Sequence, residues 1–248
     1  MSGHSKWATI KRKKAVTDQK RGKIFTKIIK EIMVAARVGG GDEEANPRLR
    51  QAIILAKSAN MPQENIKRAI QKGTGELPGQ TFEEATYEAY GPGGVAILME
   101  ILTDNKNRTV AEIRHLITKY GGNLGENGSV AWMFDRKGTI SIMKAGVAEE
   151  SLFEAALEAG AEDFNSEEEE VFIITTSPVD LMNICEALEL QQYKIEASEL
   201  EMIPKNLQKV TGSAAEKLMT LMELLEDHDD IKNVFSNFDI DEELISQA

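Results

Sequence analysis

The stretch YEAYGPGGVAILMEIL, residues 87–102, decides the fold of the chain. It predicts two β-strands joined at Gly91–Gly94, because a turn rich in glycine and proline separates two strand-like runs. A phosphate-binding loop would need a helix after its glycines, and the apolar run VAILMEIL follows them here. Before this hairpin the sequence predicts only helices, and after it helices and strands alternate. The linker TGELPGQ, residues 74–80, separates the two patterns.

Three short amphipathic helices are predicted before the linker. In IFTKIIKEIMVAAR, residues 24–37, apolar residues recur every four positions along a wide stripe. NPRLRQAIILAKSAN, residues 46–60, and MPQENIKRAIQKG, residues 61–73, predict the second and third helices. We expect the three apolar stripes to pack together. Cap and stop residues delimit the helices: Gly39–Gly41 end the first, Asn46, Pro47 and Asn60 bound the second, and Pro62 and Gly73 bound the third.

After the hairpin, a helix followed by a short turn and a strand recurs four times. The first of these helices, residues 107–122, is predicted to be capped by Asp104 or Asn107. The segments SVAWMFD, residues 129–135, and TISIMK, residues 139–144, predict two separate strands. This alternation predicts an α+β fold of small sandwiches, with helices on one face of a mainly antiparallel sheet. The split β-α-β, ferredoxin-like topology is one such arrangement, and about 165 residues suggest two sandwiches.

The amino-acid composition indicates the cellular compartment of the protein. Apolar residues make up 42% and charged residues 28% of the 248 positions, which is typical of soluble globular proteins. Cys185 is the single cysteine, so a disulfide within the chain and a cysteine-based zinc site are both excluded. No apolar run approaches the roughly 18 residues of a membrane-spanning helix, and the N-terminus lacks a signal-peptide core. We therefore expect a cytoplasmic protein without a membrane partner.

The charge is distributed unevenly along the chain. Residues 1–75 hold 17 Lys and Arg against 6 Asp and Glu, a net charge of +11. Residues 76–248 hold 12 Lys and Arg against 35 Asp and Glu, a net charge of -23, although the whole chain carries only -12. Such asymmetry indicates an anionic partner for the basic part, and a nucleic acid is the partner we expect.

The basic residues concentrate in an arm, residues 1–23, where KRKK at Lys11–Lys14 is a run of four cations. Cations bind phosphate oxygens and release condensed counterions, which makes such binding dependent on salt. Trp7 lies within the cluster, where it either stacks on an unpaired base or packs against the helices. No helix-turn-helix pattern is evident. The predicted contacts are Lys6, Trp7, Lys11, Arg12, Lys13, Lys14, Lys20, Arg21 and Lys23 in the arm, and secondarily Arg48, Arg50, Lys67 and Arg68 on the helices.

The sequence holds little that indicates catalysis. Glu112 and His115 share one face of a predicted helix, but a di-iron site needs a second such pair, which the sequence lacks. No nucleophile elbow or triad pattern accompanies Asp104, Arg108 and His115. We therefore expect no enzymatic activity, no cofactor, no metal and no small-molecule substrate. No coiled-coil stripe or swapped strand is visible either, and we expect a monomer.

Seven segments together resemble the YebC/PmpR family. The resemblance runs in order through the first 135 residues, and the rest agrees with the family in length and in the order of strands and helices. The segments are GHSKW at 3–7, KRGKIFTKIIKEI at 20–32, NPRLR at 46–50, NMP at 60–62, YEAYGPGG at 87–94, DNKNRT at 104–109 and GGNLG…GSVAWMF at 121–134.

The resemblance implies three domains, the third inserted into the second. The basic helical domain spans residues 1–76, the second domain combines 82–135 with 206–240, and the inserted domain spans 136–205. Bacterial members are described as probable DNA-binding transcriptional regulators of the cytoplasm. Other relatives, including mitochondrial translational activators, are tied to translation and to ribosomes stalled on proline-rich sequences.

The sequence analysis therefore predicts a nucleic-acid-binding regulator of gene expression, most simply a DNA-binding transcriptional regulator. The alternative is a translation factor that associates with RNA or the ribosome, because a basic arm with one tryptophan also suits structured RNA. The Gly-rich and polar loops at 91–94 and 104–109, the second with Lys106 and Arg108, would then approach a functional RNA site. A third interpretation is a protein-interaction module in which the arm only localises the protein.

Overall fold

The structure, a computed structural model, describes residues 18–240. Three helices precede antiparallel sheets that carry further helices, which confirms the predicted α+β class. The described chain forms two compact units. Residues 18–131 and 208–236, together with Ile240, make the first unit, and residues 132–207 and 237–239 make the second.

The three predicted helices are confirmed as α1 (Asp18–Gly39), α2 (Pro47–Ser58) and α3 (Gln63–Thr74). Helix α1 begins six residues before the predicted apolar stripe, because its first turns consist mostly of good helix formers. Asn46 caps α2 by accepting a hydrogen bond from the N–H of Leu49, and its amide donates to the carbonyls of Ala35 and Gly40 at the end of α1. The core between the helices includes Ile32, Leu49, Ile53 and Ile66.

Gly73 does not stop α3 as predicted. The helix continues through Thr74, and Gly75 ends it in the left-handed conformation, with φ of 86°. Gly73 instead lies where α3 crosses α1. A Cβ atom on Gly73 would stand 2.5 Å from the carbonyl oxygen of Met33 and 2.8 Å from the Cβ of Ala36. The missing side chain therefore allows the two helices to approach closely.

We expect Gly73→Ala to destabilise the protein by about 1–3 kcal/mol, because the added methyl group collides with backbone atoms. Urea denaturation measures this change. Gly22→Ala is the matched control, since Gly22 is also inside a helix but has no atom within 4 Å of an added Cβ. Alanine there should be neutral or stabilise by up to about 1 kcal/mol. Equal stability of the two variants would contradict a packing role for Gly73.

The sheet of the first unit is built around the predicted hairpin. Strands β1 (Glu83–Tyr90) and β2 (Ala96–Thr103) pair from Glu83 with Thr103 to Tyr90 with Ala96, and Pro92–Gly94 form a 3-10 turn between them. Gly93 and Gly94 both have φ of 76°, which suits glycine. The hairpin prediction is thus confirmed. With β3 (Asn123–Leu124) and β9 (Ile231–Ser236), the strand order is β3-β1-β2-β9.

Two helices pack together on this sheet, α4 (Lys106–Lys119) and α7 (Gly212–Glu226). They bury Ile113 and Ile117 from α4 and Leu218 and Leu221 from α7. The cap of α4 is Asn105 rather than Asp104 or Asn107, because the Asn105 side chain accepts the N–H of Arg108 at 3.1 Å. Strand β9 pairs antiparallel with β2, although more than a hundred residues separate them along the chain.

The second unit has its own four-stranded sheet. The elements are β4 (Phe134–Met143), α5 (Glu149–Glu158), β5 (Asp163–Asn165), β6 (Val171–Thr176), α6 (Leu181–Leu190) and β7 (Ile195–Pro204). The strand order β5-β6-β4-β7 is that of the split β-α-β, ferredoxin-like topology, whereas the sheet of the first unit begins with a hairpin. Helices and sheet bury Ile140, Leu152, Ile174 and Leu188. Two further strands have two residues each: β8 (Gln208–Lys209) belongs to the first unit and β10 (Phe238–Asp239) to the second.

The two strands predicted at 129–135 and 139–144 are one strand, β4, and Ala131–Met133 form a 3-10 turn before it. Strand β4 is continuous because β7 pairs with it from Phe134 to Ile142. Gly138, between the two predicted strands, is required inside the sheet, since a Cβ there would lie 2.3 Å from Oγ1 of Thr176.

Candidate nucleic-acid interface

Most cations of α1 to α3 are bound within the first unit, and one of them, Lys30, reaches the buried carboxylate of Asp230. Lys30 Nζ lies 2.7 Å from Oδ1 of Asp230 and 2.9 Å from the carbonyl oxygen of Asp229. Thr109 Oγ1 and an Arg108 Nη atom each donate to Oδ2 at 2.7 Å. Burial opposes ionisation of Asp230, but these donors outweigh it and hold the pKa of Asp230 far below its usual value.

Arg48 and Arg50, two predicted nucleic-acid contacts, both take part in internal contacts. Arg48 lies 2.7 Å from Glu31 of α1 and 2.6 Å from Glu84 of β1, and these hydrogen bonds raise its pKa. Arg50 donates to the carbonyl oxygens of Glu43 and Glu44. Both side chains therefore hold segments of the first unit together.

The cations of the predicted functional loop are also paired. Lys106 Nζ lies 2.7 Å from Glu83, and Arg108 binds Asp104 at 2.8 Å in addition to Asp230. The hydrogen bonds to Asp230 and Asp104 raise the pKa of Arg108. The loop thus links α4 to neighbouring elements of the first unit.

Helix α3 differs, because it exposes Lys67, Arg68 and Lys72 on its outer side, as predicted. Lys67 and Lys72 form no ion pair with any residue between 18 and 240. Arg68 stands 3.8 Å from the exposed Glu64, which is a weak surface pair. Lys72 was not among the predicted contacts, although its spacing of four residues from Arg68 places both on one helical face. These three cations form the candidate interface.

The arm cations lie at or beyond the edge of the described chain. Lys20 and Arg21 are in the first turns of α1, where the structure describes the backbone only, and Lys23 Nζ pairs with Asp227 at 3.2 Å. The remaining predicted arm contacts are outside the described residues: Lys6, Trp7, Lys11, Arg12, Lys13 and Lys14.

The Glu112 and His115 pair makes no metal site. Glu112 lies 3.2 Å from Nε2 of His228, while His115 is exposed to solvent. Within residues 18–240, no three side chains of His, Cys, Asp or Glu are grouped so that they could hold a metal ion. In the same part of the chain, no helix has the length and apolarity needed to cross a membrane.

Comparison with models of protein families identifies the family of the chain. Residues 5–76 match the model of the TACO1/YebC protein N-terminal domain, and residues 82–238 match the model of the TACO1/YebC second and third domain. The chain belongs to the TACO1/YebC family. This confirms the family resemblance deduced from the sequence segments.

Full-length relatives agree with the assignment to the TACO1/YebC family. A protein of Desulfotalea psychrophila named a probable transcriptional regulatory protein is 58% identical over 100% of this chain and 99% of its own length. A protein of Geotalea uraniireducens with the same description is 56% identical over 98% of both chains. The crystal structure of a conserved hypothetical protein from Aquifex aeolicus superposes with a TM-score of 0.83 at 49% identity, covering 90% of this chain and 92% of that one.

The segments that first indicated the TACO1/YebC family have structural roles. DNKNRT supplies Arg108 and Thr109 to the Asp230 cluster. Glu88, within YEAYGPGG, accepts hydrogen bonds from the N–H groups of Gly128 at 2.6 Å, Val130 at 2.6 Å and Ala131 at 2.8 Å. Glu88 is buried, and these three donors overcome the effect of burial and lower its pKa. A single carboxylate therefore fixes the loop before β4.

Proposed function

We propose that this protein is a nucleic-acid-binding regulator of gene expression that binds DNA through α3 and the basic arm. The observation that carries the proposal is the exposure of Lys67, Arg68 and Lys72 on one helix, while Arg48 and Arg50 of α2 are held in internal contacts. The names of the relatives from Desulfotalea and Geotalea support a regulator of transcription.

The placement of α3 suits binding to a duplex. Helix α3 carries its three cations on the side that faces solvent, where a phosphate backbone can reach them. Lys67, Arg68 and Lys72 would neutralise phosphates beside the groove. The acidic residues beyond position 76 repel the polymer from other surfaces, so that the basic end alone faces the nucleic acid.

We expect the triple variant Lys67→Ala/Arg68→Ala/Lys72→Ala to bind a 30-base-pair duplex roughly 10- to 100-fold more weakly than wild type. This range follows if each exposed cation contributes about 0.5–1 kcal/mol to the binding free energy. The slope of log affinity against log salt should fall by about 0.9 for each phosphate that is no longer neutralised. Fluorescence anisotropy at several salt concentrations measures both quantities. The matched control is Lys194→Ala/Lys209→Ala/Lys217→Ala, which removes the same charge from exposed positions in the acidic part. Equal weakening in both triple variants would contradict a localised interface.

The alternative target is structured RNA on the ribosome, where the protein would act in translation. The observation that favours it is Trp7 among Lys6 and Lys11–Lys14, since an aromatic side chain between cations can stack on an unpaired base. Co-sedimentation with ribosomes at 50 and 300 mM salt, with the wild-type chain and with Trp7→Ala, tests it. Salt-sensitive pelleting that requires Trp7, together with duplex binding without sequence preference, would establish the translation role over the transcriptional one.

We further propose that the protein acts as a cytoplasmic monomer and without catalysis. The proposal rests on the sequence, which has a single cysteine and no pattern of catalytic nucleophile, base and orienting acid. Sedimentation velocity across a hundredfold range of concentration tests the monomer, because a dimer would sediment faster at the upper end.

A further inference from the structure

We infer that the outer side of helices α5 and α6 in the second unit binds a basic amphipathic helix of a partner protein. We call this surface the acidic helical face. It comprises the glutamates of both helices and five exposed apolar side chains: Phe153 and Leu157 of α5, Val179 in the turn before α6, and Met182 and Leu190 of α6. It lies apart in sequence from the nucleic-acid interface proposed above and gives the protein a second partner.

The apolar side chains of this face are unusually exposed. Leu157 is 62% exposed, and Val179 and Leu190 are each 85% exposed. They do not belong to the core, because the opposite sides of the two helices, with Leu152, Ala156, Ile184 and Leu188, already cover the sheet. Phe153 is held in place by an edge-on contact with Phe164, with the ring centroids 5.5 Å apart. The helices α5 and α6 contact each other, and exposed apolar residues on the outer side of neighbouring helices are typical of interaction surfaces.

The charge of the surrounding chain is wholly negative. Residues 145–193 contain 13 Asp and Glu and not one Lys or Arg. The six glutamates on α5 and α6 have no ion pair with any described residue, so the face lacks the internal neutralisation that surrounds Asp230 in the first unit. These glutamates are Glu149, Glu150, Glu154, Glu158, Glu186 and Glu189.

The negative charge of the acidic helical face determines which kind of partner can bind there. Nucleic acid and anionic membranes are repelled by this face, and a second copy of the chain would bring the same glutamates against each other. A partner must therefore be cationic and must also offer apolar side chains to cover Leu157, Val179 and Leu190. A helix with apolar residues at positions i, i+3, i+4 and i+7 and with Lys or Arg on its flanks meets both requirements.

The test uses an 18-residue peptide of leucine and lysine, with the leucines at helical spacing, and a scrambled peptide of the same composition. We expect the full-length protein to bind the first peptide at least about tenfold more tightly than the scrambled one. The variant Leu157→Ser/Val179→Ser/Leu190→Ser should lose at least about tenfold in affinity for the helical peptide. Val38→Ser/Ile54→Ser, which alters exposed apolar residues of the first unit, is the matched control and should bind like wild type.

Three outcomes would overturn the inference. If the scrambled peptide bound equally well, or if the serine variant kept its affinity, the face would attract cations without a specific docking surface. If neutralising Lys11–Lys14 to glutamine in the full-length chain tightened peptide binding about tenfold, the chain's own arm would be the occupant rather than a partner. Binding of the serine variant to duplex DNA should be unchanged, so a failure of this inference is distinguishable from a failure of the proposed function.

Discussion

Replacing Asp230 with alanine is expected to lower the free energy of unfolding by about 3–5 kcal/mol, the largest effect of any substitution considered for this protein. Asp230 is 4% exposed, and its carboxylate accepts hydrogen bonds from Lys30, Arg108 and Thr109. Its removal leaves the ammonium group of Lys30, a residue only 8% exposed, without a counter-charge. An uncompensated buried charge costs far more than the loss of a surface ion pair.

Urea denaturation monitored by circular dichroism measures the destabilisation. The matched control is Asp227→Ala, because Asp227 also pairs with a lysine of α1, Lys23, but with half of its side chain exposed. That control should cost less than about 1 kcal/mol. If the two variants were equally stable, the Asp230 cluster would not be the main attachment of α1 to the sheet of the first unit.

Acid should weaken the protein through the same carboxylate. Interactions in the folded state lower the pKa of Asp230, so its contribution to stability is fully present above the pKa of about 3.9 that an unfolded aspartate has. The contribution declines as the pH falls from there towards the folded pKa. The difference in unfolding free energy between wild type and Asp230→Asn should therefore be largest near pH 7 and shrink below pH 4. Urea denaturation at both pH values measures it, and a constant difference would contradict this linkage.

Replacing Glu88 with alanine is expected to cost about 3 kcal/mol, the second largest effect. Three N–H groups, of Gly128, Val130 and Ala131, donate to this one buried carboxylate. Each buried donor left without an acceptor costs about 1–3 kcal/mol, and water recovers part of that cost because the loop lies near the surface. The loop before β4 should therefore open more readily than the strands beside it.

Hydrogen exchange of the amides at 128, 130 and 131 measures the effect directly, alongside urea denaturation. Glu126→Ala is the control, since Glu126 is exposed in the same loop and accepts none of these hydrogen bonds. Exchange in the Glu88 variant should accelerate at these three amides first. Unchanged protection would mean that other interactions hold the loop.

The distribution of charge links these stability effects to function. Arg48 and Arg108, which the sequence predicts as contacts for nucleic acid or RNA, each bind a carboxylate of the first unit, and Lys30 does the same. Lys30 is on α1, which packs directly against α3. If the proposed function is right, loss of Asp230 should weaken duplex binding indirectly, through α1, and loss of Lys67 should weaken it without a change in stability.

Local patterns in the sequence were sufficient for the first three helices and the hairpin. Periodic apolar residues, Asn46 with Pro47, and the GPGG turn predicted α1 to α3 and the β1–β2 hairpin, because caps and turns depend on residues close together in the chain. The family was also determined by the sequence alone, since its motifs are contiguous segments. The separation of a basic N-terminal part from an acidic remainder was likewise determined by the sequence alone.

Only the tertiary structure decided which cations remain available. Arg48 binds Glu84 and Arg108 binds Asp230, at separations of 36 and 122 positions, so no local pattern could reveal these two pairs. Only the pair of Arg108 with Asp104, four residues away, has a local spacing. The same reason explains Gly73, whose role depends on Met33 of another helix, and β4, whose continuity depends on pairing with β7. A charged residue in the sequence can either remain exposed to bind a partner or form an ion pair inside the protein. Which of the two happens depends on the long-range packing that brings a carboxylate to it.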